Sequence, residues 1–196
     1  MCKIDPPSLT VFSYICAMNP IDIIRQHYRP DTPLYDILVV HSEQVARKAL
    51  SVLRLHPSLR ADETFVYEAA MLHDIGIILC DAPGICCHGS YPYICHGYLG
   101  ADMLRRHGLT RHALVAERHT GTGLTAQEIE QRGLPLPQGR IYEPQSVEEQ
   151  VICYADKFFS KTHPDEERSI ERVRRSLEKF GAESTARFDA MHALFG

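Results

Sequence analysis

The stretch Glu68–Cys80, EAAMLHDIGIILC, sets His73 and Asp74 side by side in an otherwise almost wholly apolar run. Burying either group alone is costly, so a fold that uses this run must bring partners to it. The same situation recurs along the chain. His41 lies between Ile37 and Val45, four residues from each, on the inward stripe of a helix that Thr32 can cap and Pro33 can start. His96 shares a stripe with Leu99, Gly100 and Met103; His119 follows Val115 by four; Asp156 follows Ile152 by four and precedes Phe159 by three. His73 follows Ala69 by four, and Asp74 is about 100° further round the helix. Six ionisable side chains thus point inward from five helices.

The punctuation agrees with an all-α, compact helical bundle. One helix runs from Thr32 to about Leu55, before Pro57. The next is capped by Asp62 and expected to stop at Gly76. A Gly-, Pro- and aromatic-rich loop spans Asp81 to Cys95, and a helix follows from about His96 to His107. Thr110 can cap a helix through His119. Thr125-x-x-Glu128 and Ser146-x-x-Glu149 have capping-box spacing, the second helix closed by Pro164. Strand alternation is absent. Ile170, Val173, Leu177 and Phe180, then Phe188, Met191 and Phe195, give two amphipathic C-terminal helices in 165–196, a packing or homodimer face. Residues 18–196 read as one helical domain with its motif core at about 34–163. Residues 1–17 read as an N-terminal extension, since Met18-Asn19-Pro20 resembles a natural chain start.

Four imidazoles and two carboxylates meeting in a core point to one or two divalent metal ions. Nitrogen and oxygen donors suit Fe, Mn, Ni, Co or Zn, with Mg as a further candidate. Six donors exceed one tetrahedral zinc, and a carboxylate such as Asp74 can bridge two ions. An open coordination position activates water at neutral pH and binds a phosphoryl oxygen. Other classes fit less well. A net charge of −4 disfavours a general nucleic-acid or anionic-membrane binder. No apolar run approaches the ~20 residues of a membrane helix; Val11–Met18 is too short, and Lys3 alone makes a weak signal-peptide start. Seven cysteines without C-x-x-C spacing read as reduced thiols in a cytoplasmic protein. Cys95 beside His96 is read as a small buried hydrophobe rather than a ligand.

His41, then HDIG at His73–Gly76, then Asp156 in YADK, resemble the H…HD…D signature of the HD-domain metal-dependent phosphohydrolase superfamily, an all-α family. The segments ICHGYLGADML and ERHTGTGLT resemble the extra His pair of its dinuclear branches, here His96 and His119. Those branches include HD-GYP cyclic-dinucleotide phosphodiesterases and small hydrolases of dinucleoside polyphosphates. The resemblance implies one metal on His41, His73, Asp74 and Asp156, and a second on Asp74, His96 and His119. Ile77 stands where HD-GYP enzymes usually carry Lys, and GTGLT replaces their GYP segment. The closer likeness is to compact, stand-alone HD hydrolases.

Asp74, Lys157 and His88 are the candidate catalytic residues. Arg118, Lys161, Ser160 and Tyr91 are the candidate substrate contacts, and Tyr93 shares the aromatic loop with Tyr91. Lys157 and Lys161 are four apart beside Asp156, where ammonium groups can meet a phosphate; an ordinary solvated face is the alternative. His27, His56, His107, His112, His163 and His192 are read as surface residues. The leading expectation is hydrolysis of a phosphate ester or anhydride of a nucleotide or similar small molecule, with no stable nucleic-acid complex. The runner-up is a dinuclear-iron oxygenase of the HD type, and the third reading is a metal-stabilised regulatory binding module.

Overall fold

The computed structural model describes residues 18–164 and 166–196. The N-terminal extension, with Cys2 and Cys16, lies outside the described residues. Nine α-helices are found among them: α1 Pro20–Arg25, α2 Pro33–Leu55, α3 Glu63–Leu72, α4 His96–Arg106, α5 Thr110–Arg118, α6 Ala126–Gln131, α7 Val147–Asp156, α8 Ile170–Glu178 and α9 Ala182–Phe195.

Local chemistry sets the ends of these helices. The Thr32 hydroxyl accepts from the Tyr35 amide, and Pro33 opens α2. Asp62 accepts from the Phe65 amide at 3.0 Å. Thr125 and Glu128 form a complete capping box. At α7, Ser146 accepts from the Glu149 amide, but the Glu149 carboxylate reaches Gln145 instead of closing the box.

Three expected boundaries move, and the loop holds a small sheet. The helix after Asp62 ends at Leu72, and Ile75–Leu79 winds on as a 3-10 helix. The tighter winding gives Asp74 a non-helical backbone and turns its carboxylate into the core. Thr110 is the first residue of α5 rather than its cap, which falls on Leu109. α7 ends at Asp156, well short of Pro164. In the loop after Leu79, β1 (Cys80–Ala82) pairs antiparallel with β2 (Cys87–His88) and parallel with β3 (Tyr91–Pro92). Strands of two or three residues leave too little alternation to be read from sequence.

The core is assembled around α3. α2, α5 and α7 pack on it, α4 lies on α5 and on the 3-10 segment, and α9 closes over α7. Phe65, Val66, Ala69, Ala70 and Leu72 of α3 are buried, with Leu38, Val45, Ile152 and Phe188 among their core companions. Of the expected C-terminal apolar positions, Val173, Leu177, Phe188, Met191 and Phe195 are buried inside the chain, while Phe180 is 42% exposed.

Two glycines let backbones approach. A Cβ on Gly76 would lie 2.2 Å from the His96 carbonyl and 2.4 Å from the Gly100 amide nitrogen. A Cβ on Gly97 would lie 2.8 Å from the Ala116 carbonyl. His112 is a correction to the sequence reading. It is buried, its ring edge-on to Phe65, with Nε2 3.2 Å from Glu68 Oε2. Both partners sit on α3, so periodicity on α5 alone could not reveal them.

Candidate metal centre

Most of the six inward residues sit at helix ends. His41 lies midway along α2. His73 is the C-cap of α3, with Asp74 next to it; His96 starts α4; His119 is the C-cap of α5; Asp156 ends α7. Three helices therefore aim their C-terminal, partially negative ends at one place, a field that favours a cation. α4 opposes them with its N-terminus.

The side chains converge. His41 Nε2 lies 3.1 Å from Asp74 Oδ2 and 3.0 Å from Asp156 Oδ1. His73 Nε2 lies 3.1 Å from Asp74 Oδ2 and 3.7 Å from Asp156 Oδ1. On the other carboxylate oxygen, His96 Nε2 and His119 Nε2 are each 3.4 Å from Asp74 Oδ1. Two donor sets result, His41–His73–Asp74–Asp156 and Asp74–His96–His119, sharing Asp74 and all but Asp156 fully buried.

One local device orients three of the rings. His73 Nδ1 donates to the Ala70 carbonyl at 2.6 Å, His96 Nδ1 to the Tyr93 carbonyl at 2.6 Å, and His119 Nδ1 to the Ala116 carbonyl at 2.8 Å. Each carbonyl lies three residues earlier, so the bond fixes the ring and leaves Nε2 facing the cluster. Burial pushes His96 down to about 3, and burial also lowers His119. Both rings are then neutral, and their Nε2 lone pairs face one another at 3.0 Å beside a carboxylate oxygen. Three acceptors in contact repel unless a cation lies among them. His41 Nε2, His73 Nε2 and both Asp74 oxygens also lack an aligned hydrogen bond although buried. These donors fit divalent metal ions.

The first donor set carries the opposite charge pattern. Burial acts to lower His73, but the Asp74 and Asp156 carboxylates prevail and push it up to about 9. Burial works to raise both carboxyls; Lys161 and His73 hold Asp74 well below the carboxylate range, and Lys157 with His41 does the same for Asp156. Lys161 Nζ is 2.5 Å from Asp74 Oδ2, and Lys157 Nζ is 2.7 Å from Asp156 Oδ2. Lys157 also donates to the His119 carbonyl at 3.2 Å, capping the end of α5.

A cavity of about 650 Å³ opens beside this cluster. His96, His119 and Asp156 form its floor, and Lys157, Ser160 and Lys161 stand along one side. The expected catalytic residue His88 and the expected substrate contacts Arg118 and Tyr91 lie elsewhere. Arg118 is committed to Glu149, its Nη1 3.1 and 3.0 Å from the two carboxylate oxygens. His88 is exposed on β2 and Tyr91 is 46% exposed on β3, and neither lines the cavity. The loop turns inward at Tyr93 instead, whose ring stacks on His96 at 4.7 Å and lies under Lys161. A tyrosine three residues before a helix start carries no periodic signal, so only the fold reveals this placement.

The fold and these clustered side chains define a helical domain with a buried histidine–carboxylate cluster of a kind that can hold metal ions. The HD domain family model matches residues 38–160, and the chain belongs to that family. It is similar to tRNA (cytidine(56)-2'-O)-methyltransferases of Thermoplasma volcanium, 30% identical over 152 residues, and Picrophilus torridus, 30% identical over 126. These matches cover 77% and 64% of this chain but only 39% and 32% of the relatives. It is also similar to protein MJ0778 of Methanocaldococcus jannaschii, 36% identical over 102 residues, 52% of either chain. No solved structure matches significantly. Among the described residues no helix is long and apolar enough to cross a membrane.

Proposed function

We propose that this chain is a metal-dependent phosphohydrolase acting on a phosphate ester or anhydride of a nucleotide or a similar small molecule. The carrying observation is a cationic cavity whose floor is the histidine–carboxylate cluster. His41, His73, Asp74 and Asp156 would hold one ion, and Asp74, His96 and His119 a second. A divalent metal supplies Lewis acidity there, polarising a phosphoryl oxygen and lowering the pKa of water.

The chain's own groups do the rest. Asp74 and Asp156, both ionised before the reaction, orient the attacking water, and Asp74 relays the proton that the water gives up toward the leaving oxygen. Lys161 and Lys157 set positive charge beside the phosphoryl oxygens, where negative charge grows as the new P–O bond forms and the ester P–O bond breaks. The departing alcohol leaves with a proton. Tyr93, stacked on His96, walls the reacting centre from bulk water.

Methyl transfer is the activity named for two longer relatives, of which this chain spans a minor part. That named reaction gives no reason for six inward metal-ligand side chains. The cationic cavity likewise supports hydrolysis of an anionic ester over oxygen activation.

The test is a panel of nucleotides and small phosphate esters, with phosphate or nucleotide release measured under Mn, Fe, Co, Ni or Zn. Release with Mn or Zn in the absence of oxygen, lost in Asp74→Asn, is expected. Metal-loaded protein that cleaves no member of the panel, or turns over only with reduced iron and oxygen, overturns the reading.

A further inference from the structure

The cavity is much larger than a phosphate needs, and much of its wall comes from beyond the family match, which ends at residue 160. Arg168, Ser176, Leu177, Lys179 and Phe180, on and around α8, all line it. The charge distribution is uneven. Four basic side chains (Lys157, Lys161, Arg168 and Lys179) face one carboxylate, Asp156, in a chain whose net charge is −4.

The four bases fall into two tiers. Lys157 and Lys161 are 10% and 13% exposed and held against Asp156 and Asp74. Lys179 is exposed, and Phe180 beside it is 42% exposed, so this pair stands at the rim. Among the described residues, neither Arg168 nor Lys179 has a carboxylate within 4 Å. Apolar groups share the lining: Ile85, Ile94, Phe159 and Leu177 face the cavity too.

A lone phosphate at the metal floor leaves both the apolar walls and the outer cations without a contact. Cavities of this size bury most of a ligand's surface when filled. Building on the phosphohydrolase reading, we propose that the α8 segment selects a substrate with two separated anionic groups joined by a flat or apolar body. The reacting phosphate lies on the metal floor. The body lies between Phe159, Leu177 and Phe180. The second phosphate is held by Arg168 and Lys179, and a nucleoside 3',5'-bisphosphate has this layout.

The test is equilibrium binding by calorimetry to Mn-loaded full-length protein, so that it does not depend on turnover. The probes are inorganic phosphate, adenosine 5'-monophosphate and adenosine 3',5'-bisphosphate. The bisphosphate is expected to bind about tenfold tighter than the monophosphate, the increment of one added charged contact. Arg168→Ala combined with Lys179→Ala should remove that preference, while Phe180→Ala should weaken both nucleosides and spare inorganic phosphate. Melting curves of the variants report that they fold. Equal binding of mono- and bisphosphate by the native protein, or an equal loss of both in the double variant, overturns the proposal. Selective binding without hydrolysis of any phosphate ester supports this cavity assignment and refutes the hydrolase reading, so the two failures are distinguishable.

Discussion

Asp74 is the residue on which both donor sets depend, because each of its oxygens faces a different pair of imidazoles. Its removal and the removal of a one-sided ligand should therefore differ in kind. Asp74→Asn is expected to weaken metal binding more than ~100-fold, beyond what an outer partner of a ligand is worth. It should lower the metal content at both positions. His119→Ala should leave the first set's ion in place and lose only the second. Elemental analysis of the two variants after identical dialysis checks this, and equal metal content in both contradicts a shared Asp74. His73 adds a pH signature. With its pKa pushed up to about 9 by two carboxylates, it carries a proton at neutral pH and must release that proton to ligate. Below about pH 9 metal affinity should thus rise with pH, by about tenfold per unit for this group alone, and above it the dependence should fade. Calorimetry of Mn binding in buffers of different ionisation enthalpy counts the proton directly. In metal-free protein the sign reverses. A folded-state pKa raised above 6.5 contributes stability that is complete below pH 6.5 and lost as pH rises through about 9.

Helix α4 meets the 3-10 segment and α5 through glycine rather than through side chains, and this close contact fixes where His96 enters the cluster. A methyl group at Gly76 would overlap the His96 carbonyl and the Gly100 amide, both backbone atoms that cannot swing aside. Gly76→Ala should cost about 1–3 kcal/mol in denaturant unfolding, as overpacking does. It should also push His96 away from Asp74, so the second ion should be lost before the first. An Ala variant with native stability and full metal content would refute the argument. The capped helices were legible at this scale because Thr32, Asp62 and Thr125 act within three residues of themselves. The break at His73 was not. Ile-Gly-Ile-Ile-Leu continues the apolar pattern, and only packing against α4 draws it into a 3-10 turn. Arg118 was misread for a related reason: it lies beside His119 in sequence, yet its partner Glu149 is 31 residues away on α7. The ligand series itself could be read because five separate apolar stripes each carried an expensive polar group. The cavity wall could not, since α8 shows which face it buries and not what its ends overhang.

Five helices contribute to one centre, so metal should act on the whole molecule rather than on a loop. α2, α3, α4, α5 and α7 each bring a ligand or end beside one, and α9 packs on α7. A metal at 100 times its Kd adds about 2.7 kcal/mol to the folded state. For a chain of this length that corresponds to a rise of roughly 5–10 °C in melting temperature. Cys153 offers a second readout at the junction of α5 and α7. It is buried, its Sγ–H donates to the His119 carbonyl at 3.4 Å, and burial pushes its thiol up to about 11. In the native state it is a poor nucleophile with no access for reagents, so it reacts only when α7 parts from α5. That parting separates Asp156 from His119 and must expel the metal. The same 2.7 kcal/mol should then slow Cys153 alkylation about a hundredfold at saturating Mn, provided reclosing outpaces labelling. Mass spectrometry of Cys153 after timed alkylation, with and without Mn, measures the ratio. An unchanged rate would mean that α5 and α7 separate without disturbing the centre, contrary to the arrangement of His119 and Asp156 described above.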